Sequence, residues 1–173
     1  MKKYIISSLV LLAVVPTNAQ VAIGKVNING NSTLLDFYDN TDNFRGIILP
    51  ALEVQPSSFT PANNGTFLFD KSDKKIKMYE NNVWKSLSET GDDSGISNNT
   101  TTESENNQGV IIGSDTSAAK GILVLESAGK AMILPKVANP HLTVKSPYPG
   151  MICYDTVSKT LAVFDGKVWN YWK

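Results

Sequence analysis

The side chains best suited to recognition chemistry lie at the end of the chain, in Trp169, Tyr171 and Trp172. A large flat ring can stack on a sugar face or anchor a protein partner. Trp169 has a counterpart in Trp84, and for both the favoured use is to cover the edge of a small core. Recognition suits Trp172 better, because it sits close to a loose terminus, and Lys85-Ser86-Leu87 stands in its place earlier in the chain. Trp169, Tyr171 and Trp172 are therefore the candidate contacts for a ligand or partner.

Catalytic chemistry finds less support. His141 follows Pro140 in a Pro-rich stretch, and no Ser or Cys nucleophile stands at a recognisable spacing from it, so it reads as a loop histidine. Cys153 is the one cysteine. It lies in an apolar strand and behaves as a small hydrophobe, and no intrachain disulfide can form. Asp36, Asp39 and Asp42, and the run Asp70-Lys71-Ser72-Asp73, resemble calcium ladders superficially. Neither has the ligand spacing and terminal glutamate of an EF-hand. Gly24-Lys25 and Gly129-Lys130 lack the context of a phosphate loop. The sequence therefore predicts no catalytic residues, no cofactor site and no metal site, and a protein that is not an enzyme.

The elements that would position these residues come in pairs. Residues 64–84, NGTFLFDKSDKKIKMYENNVW, align without a gap on residues 149–169, PGMICYDTVSKTLAVFDGKVW, at an offset of 85. The same offset carries Ile48-Leu49-Pro50 onto Ile133-Leu134-Pro135. Val21-Ala22-Ile23-Gly24 is echoed by Val110-Ile111-Ile112-Gly113, and Thr33-Leu34-Leu35-Asp36-Phe37 by Gly121-Ile122-Leu123-Val124-Leu125. Short apolar runs bounded by turn residues predict strands. Pro50 and Pro135 should end strands or lie at an edge. The Pro-rich connections after them predict extended loops. Each long repeat predicts a three-stranded meander, with Asp70 and Asp155 opening the first turn and Asp165-Gly166 forming a two-residue hairpin. Asp73 becomes Ser158 while Asp70 stays as Asp155, which favours a turn role for these acids over a ligand role.

Charge and composition narrow the partners. The 16 basic and 16 acidic side chains balance. Lys2-Lys3, an apolar run and the Asn18-Ala19 end together resemble a signal peptide over residues 1–19. Its removal leaves 14 basic against 16 acidic groups and no further apolar stretch of membrane-spanning length. That excludes the basic footprint of a nucleic-acid binder. Residues 88–109 hold five acids, no basic residue and one isolated apolar residue, Ile96, and predict a flexible polar linker. The domain layout expected is a signal peptide over 1–19, a β module over 20–87, the linker over 88–109 and a second β module over 110–173.

The Asn18-Ala19-Gln20-Val21-Ala22-Ile23-Gly24 start, the Gly-Ile-Ile-Leu-Pro strand and the GTFLFD…YENNVW hairpin resemble secreted repeat-module proteins of Bacteroidota. Related β modules resemble segments of phage tail fibres. The resemblance implies a fibre-like or surface-associated protein and supplies no catalytic residues. The fold expected is all-β, as two similar small modules of short strands and β-meanders, completed by oligomerisation. A domain of this size without disulfides is marginal alone, so self-association is expected, with a trimer favoured. The function expected is structural or adhesive, with export to the outer surface, the extracellular space or the periplasm and with a surface protein or glycan as partner. The alternative is a carbohydrate-binding protein using the exposed aromatic residues.

Overall fold

The computed structural model describes residues 20–97 and 109–173. The proposed signal peptide, residues 1–19, lies outside them. Each repeat contributes seven strands. The first repeat supplies β1 (Val21–Ile23), β2 (Thr33–Phe37), β3 (Ile47–Ile48), β4 (Ala51–Leu52), β5 (Phe67–Asp70), β6 (Lys75–Glu80) and β7 (Val83–Ser86). The second supplies β8 (Val110–Ile112), β9 (Leu123–Leu125), β10 (Ala131–Met132), β11 (Lys136–Val137), β12 (Met151–Asp155), β13 (Thr160–Phe164) and β14 (Trp169–Trp172).

The repeat is visible in individual hydrogen bonds. The Phe69 amide donates to the Pro50 carbonyl at 2.8 Å, and the Tyr154 amide to the Pro135 carbonyl at 2.9 Å. Each proline therefore ends one short strand, and its carbonyl helps to start the next. The amides of Gly65 and Gly150 donate to the carbonyls of Tyr79 and Phe164. Both glycines have φ of +87°, a conformation that a side chain disfavours. Strands β5-β6-β7 and β12-β13-β14 each run antiparallel, whereas β1-β2, β4-β5, β8-β9 and β11-β12 are parallel.

The expectation of two separate small modules is overturned by pairing between the repeats. Strand β10 of the second repeat joins β2 of the first in parallel, and β3 of the first joins β12 of the second in antiparallel fashion. The main hydrophobic cluster is also shared. Leu49, Phe69, Ile76 and Leu87 from the first repeat pack with Ile152 and Val163 from the second. The chain is one continuous β-solenoid of about eight turns, and not two meander modules with private cores. The physical reason is burial: a repeat this small hides its apolar faces better against its neighbour than alone.

Residues 88–97, assigned from the sequence to a flexible linker, lie against the body of the fold. The Asp92 amide donates to the Asp165 carbonyl, the Gly91 amide to the Lys74 carbonyl and the Ser97 amide to the Tyr148 hydroxyl. Ile96 packs on the shared core. The rest of that assignment, over residues 98–108, falls outside the described residues.

Two local expectations are corrected. The two-residue hairpin occurs in the first repeat, where Asn81 and Asn82 both have positive φ. At Asp165 the carboxylate accepts the amides of Lys167 and Val168, each at 2.8 Å, and a longer turn results. The Pro-rich connection after Val137 was expected to be extended, but it forms a one-turn helix, α1 (Pro140–Thr143). Pro140 starts it, where a missing N–H costs nothing.

Candidate functional site

Strand β14 carries the three candidate contact residues and divides them between two faces, because side chains alternate along a strand. Trp169 and Tyr171 share one face. Trp169 packs against Phe164 across the β13-β14 ladder, with ring centroids 5.4 Å apart. The Tyr171 hydroxyl meets Nδ1 of His141 at 3.0 Å. With Val144, Pro147, Lys167 and Val168 these residues line an open hollow of about 510 Å³. Trp172 points to the other side, and its indole N–H donates to the carbonyl of Leu87. The structure therefore brings Trp169 and Tyr171 together and ties Trp172 to the end of the first repeat. Half of its surface remains exposed, at 46 %.

Trp84 belongs to a separate cluster. Its ring lies 5.4 Å from Phe59 and 5.2 Å from Tyr79. The tryptophan that follows each meander thus covers the ring at the end of the preceding strand, Tyr79 in the first repeat and Phe164 in the second.

The aspartates of the two ladder-like runs each have a partner within the chain. Asp70 is fully buried and accepts from the Ser72 amide at 2.9 Å, the Ser72 hydroxyl at 2.6 Å, Lys77 Nζ at 2.7 Å and the Gln55 amide group. Burial raises its pKa, but these donors outweigh burial and hold it at about 2. Lys77 also reaches Asp73 at 2.6 Å. In the second repeat Asp155 accepts the amides of Asn139 and Val157 and the Ser158 hydroxyl. Burial again raises its pKa, and these hydrogen bonds bring it below the usual value. The sequence expectation of turn-forming aspartates is thus met at both positions.

Asp36 and Asp39 both bind Lys25, at 2.9 and 3.1 Å, while Asp42 accepts from the Tyr38 hydroxyl. Asp92 binds Ser94, and Asp93 pairs with Lys74 at 2.9 Å. Among the described residues, no group of three or more His, Cys, Asp or Glu is arranged to hold a metal ion. Cys153 is fully buried, and burial, with Asp155 nearby, pushes its thiol up to about 12. No described helix is long and apolar enough to cross a membrane.

Sequence reasoning missed the exposed strand residues. Val110 is 61 % exposed, and Ile122 and Leu123 are 68 % and 46 % exposed although their repeat counterparts Leu34 and Leu35 are buried. The signal was present in the repeat alignment, but the pairing of β2 with β10 is needed to read it.

Comparison with known proteins gives one family match. Residues 111–173 match the family described as phage tail like trimerisation region. This segment coincides with almost all of the second repeat. No curated protein and no solved structure matches the chain. The matched segment is of a structural, non-catalytic kind.

Proposed function

We propose that this chain is a fibre-forming structural protein that works as a homotrimer at or beyond the cell surface. The observation that carries the reading is the match of residues 111–173 to a phage tail like trimerisation region. The exposed aliphatic side chains of β8 and β9 support it, since strand edges and apolar patches of this kind are normally covered by a partner. The signal-like residues 1–19 support export, to the extracellular space, the outer surface or the periplasm. An adhesive role toward a surface protein or glycan suits such an assembly, because three linked copies raise the effective concentration of weak contacts.

Sedimentation equilibrium of the exported chain tests the oligomer directly. A mass of three chains over a range of concentrations is expected, and a single-chain mass throughout rejects the proposal. The second reading, carbohydrate binding, is favoured by one observation: Trp169 and Tyr171 face the same open hollow beside His141. A glycan array separates the two. Sugar binding lost in both Trp169→Ala and Tyr171→Ala supports the second reading, and an array without signal removes it.

A further inference from the structure

The two repeats are held together by contacts that one copy of the chain can make only once. Strand β2 accepts β10 on its outer edge, with Met132 beside Leu35. The Ile133 amide donates to the Leu35 carbonyl at 2.9 Å. Above the same strand, a Cβ at Gly113 would lie 3.0 Å from Leu34, so the start of the second repeat covers Leu34. These contacts leave Leu34 and Leu35 only 2 % and 1 % exposed.

Strand β9 is the counterpart of β2. The paired registers fix the equivalence, because Leu35 faces Val21 and Leu123 faces Val110. Yet among the described residues β9 is bonded to β8 alone. Leu123 and Ile122 stand where Leu35 and Leu34 are buried. The Ile122 carbonyl accepts the Val110 amide, so the neighbouring Leu123 carbonyl faces the open edge, as Leu35 faces β10.

The strand that would fill this edge also exists. Strand β3 is the counterpart of β10, and one of its edges is already used against β12. The Leu49 amide donates to the Gly150 carbonyl, so the Ile48 amide alternates to the opposite edge. That orientation matches the Ile133 amide, which binds β2. Ile48 is 51 % exposed.

We infer that the open edge of β9 receives β3 of a second copy of this chain, so that subunits join head to tail by repeating the contact between the two repeats. The Ile48 amide of one copy donates to the Leu123 carbonyl of the next, and Ile47 lies beside Leu123. Such a heterologous contact closes when its rotation completes a ring. Three copies give a ring of six repeats in which every β2-type edge is filled. The inference rests on the trimer proposed above and assigns its interface. The same operation brings β10 toward β5 of the next copy. There Ala131 replaces Gly46, where a Cβ would lie 2.5 Å from the Ile152 carbonyl. That second contact is set back, and the interface is centred on β9.

The test uses Leu123→Lys, which puts a charge on the open edge at an exposed position, and Ile48→Pro, which removes the donor at the residue paired with Met151 while sparing the Leu49–Gly150 hydrogen bond. Sedimentation and circular dichroism are measured on both, with Ile47→Cys and Leu123→Cys chains co-expressed as a cross-linking pair in a Cys153→Ala background. The expected result is a trimeric wild type, an approximately threefold loss of mass in both variants with the spectrum retained, and a disulfide-linked dimer only when the two cysteine chains are made together. A trimeric wild type with trimeric variants and no cross-link overturns the β9 interface and leaves trimerisation standing. A monomeric wild type overturns both. If a variant loses its spectrum, the cross-link decides: its presence supports the interface and its absence overturns it.

Discussion

Replacing Lys77 with alanine asks whether a buried ion pair holds the first meander in place, and the second repeat supplies the control. Asp70 is held at about 2, against a usual value of 3.8. Its carboxylate is fully buried, and the Lys77 side chain is 9 % exposed. A depression of this size corresponds to about 2 kcal/mol of stability. Because the folded pKa is lowered, that stability is present above pH 4 and is lost as the pH falls from there toward 2. Lys77→Ala leaves Asp70 with Ser72 and Gln55 as donors, so the expected cost at pH 7 is about 2–3 kcal/mol, somewhat less than for a buried charge left without any donor. In the second repeat Ala162 already stands at the Lys77 position and Ser158 at the Asp73 position. There Asp155 is satisfied by the Asn139 and Val157 amides and by Ser158. Adding Asp73→Ser to Lys77→Ala should therefore recover about half of the loss. Thermal unfolding followed by circular dichroism at fixed chain concentration reads the effect as a fall of roughly 5–10 °C in Tm. The difference from wild type should shrink between pH 4 and pH 2. A Lys77→Ala protein within about 1 °C of wild type at pH 7, or a difference that does not change with pH, would refute the argument.

Two other outcomes follow from the contacts around residues 88–97 and 153. Gly166 has φ of +98°, and a Cβ there would come to 1.9 Å of the Asp92 carbonyl; Gly166→Ala should cost about 2 kcal/mol or more, read as a lowered urea midpoint, and an unchanged midpoint would show that residues 91–93 are not docked on this turn. Cys153, fully buried with its thiol pushed up to about 12, should react with a maleimide at pH 8 only after unfolding; complete labelling of the native protein within minutes would contradict the packing of β12.

Much of the strand content was legible because side-chain pattern determines it locally. Leu68, Ile76 and Tyr79 in one repeat, and Cys153, Leu161 and Phe164 in the other, mark matching strands at an offset of 85. The bonds made by Pro50 and Pro135 repeat at the same offset. The pairing of β2 with β10 was hidden. A strand of two or three residues bonds through its backbone, and Ala131-Met132 carries no side-chain mark of its partner. Residues 88–97 misled for a related reason. Their composition is polar, yet their order comes from backbone amides and from one side chain, Ile96. The candidate aromatic residues could be found from type alone. Their division between two faces followed from alternation, but the bond from Trp172 to Leu87 spans 85 residues and required the fold.

The differences between the repeats fall into two kinds with separate causes. Inside the body, the second repeat loses charges in sets. Lys77 and Asp73 become Ala162 and Ser158 together, so the turn aspartate keeps enough donors without a buried cation. At the strand edges the reverse holds. The β2 edge carries Thr33, Leu34, Leu35 and Asp36, all buried, whereas β9 and the residue before it present Leu123 and Ile122 to solvent. No charge was introduced there to block pairing, although edge strands that must stay single commonly carry one. Compared with the first repeat, the second lacks the enclosed Lys77 and carries aliphatic groups where they are open. Relief of internal strain alone would not retain Ile122 and Leu123 on an exposed edge. An edge reserved for another strand would.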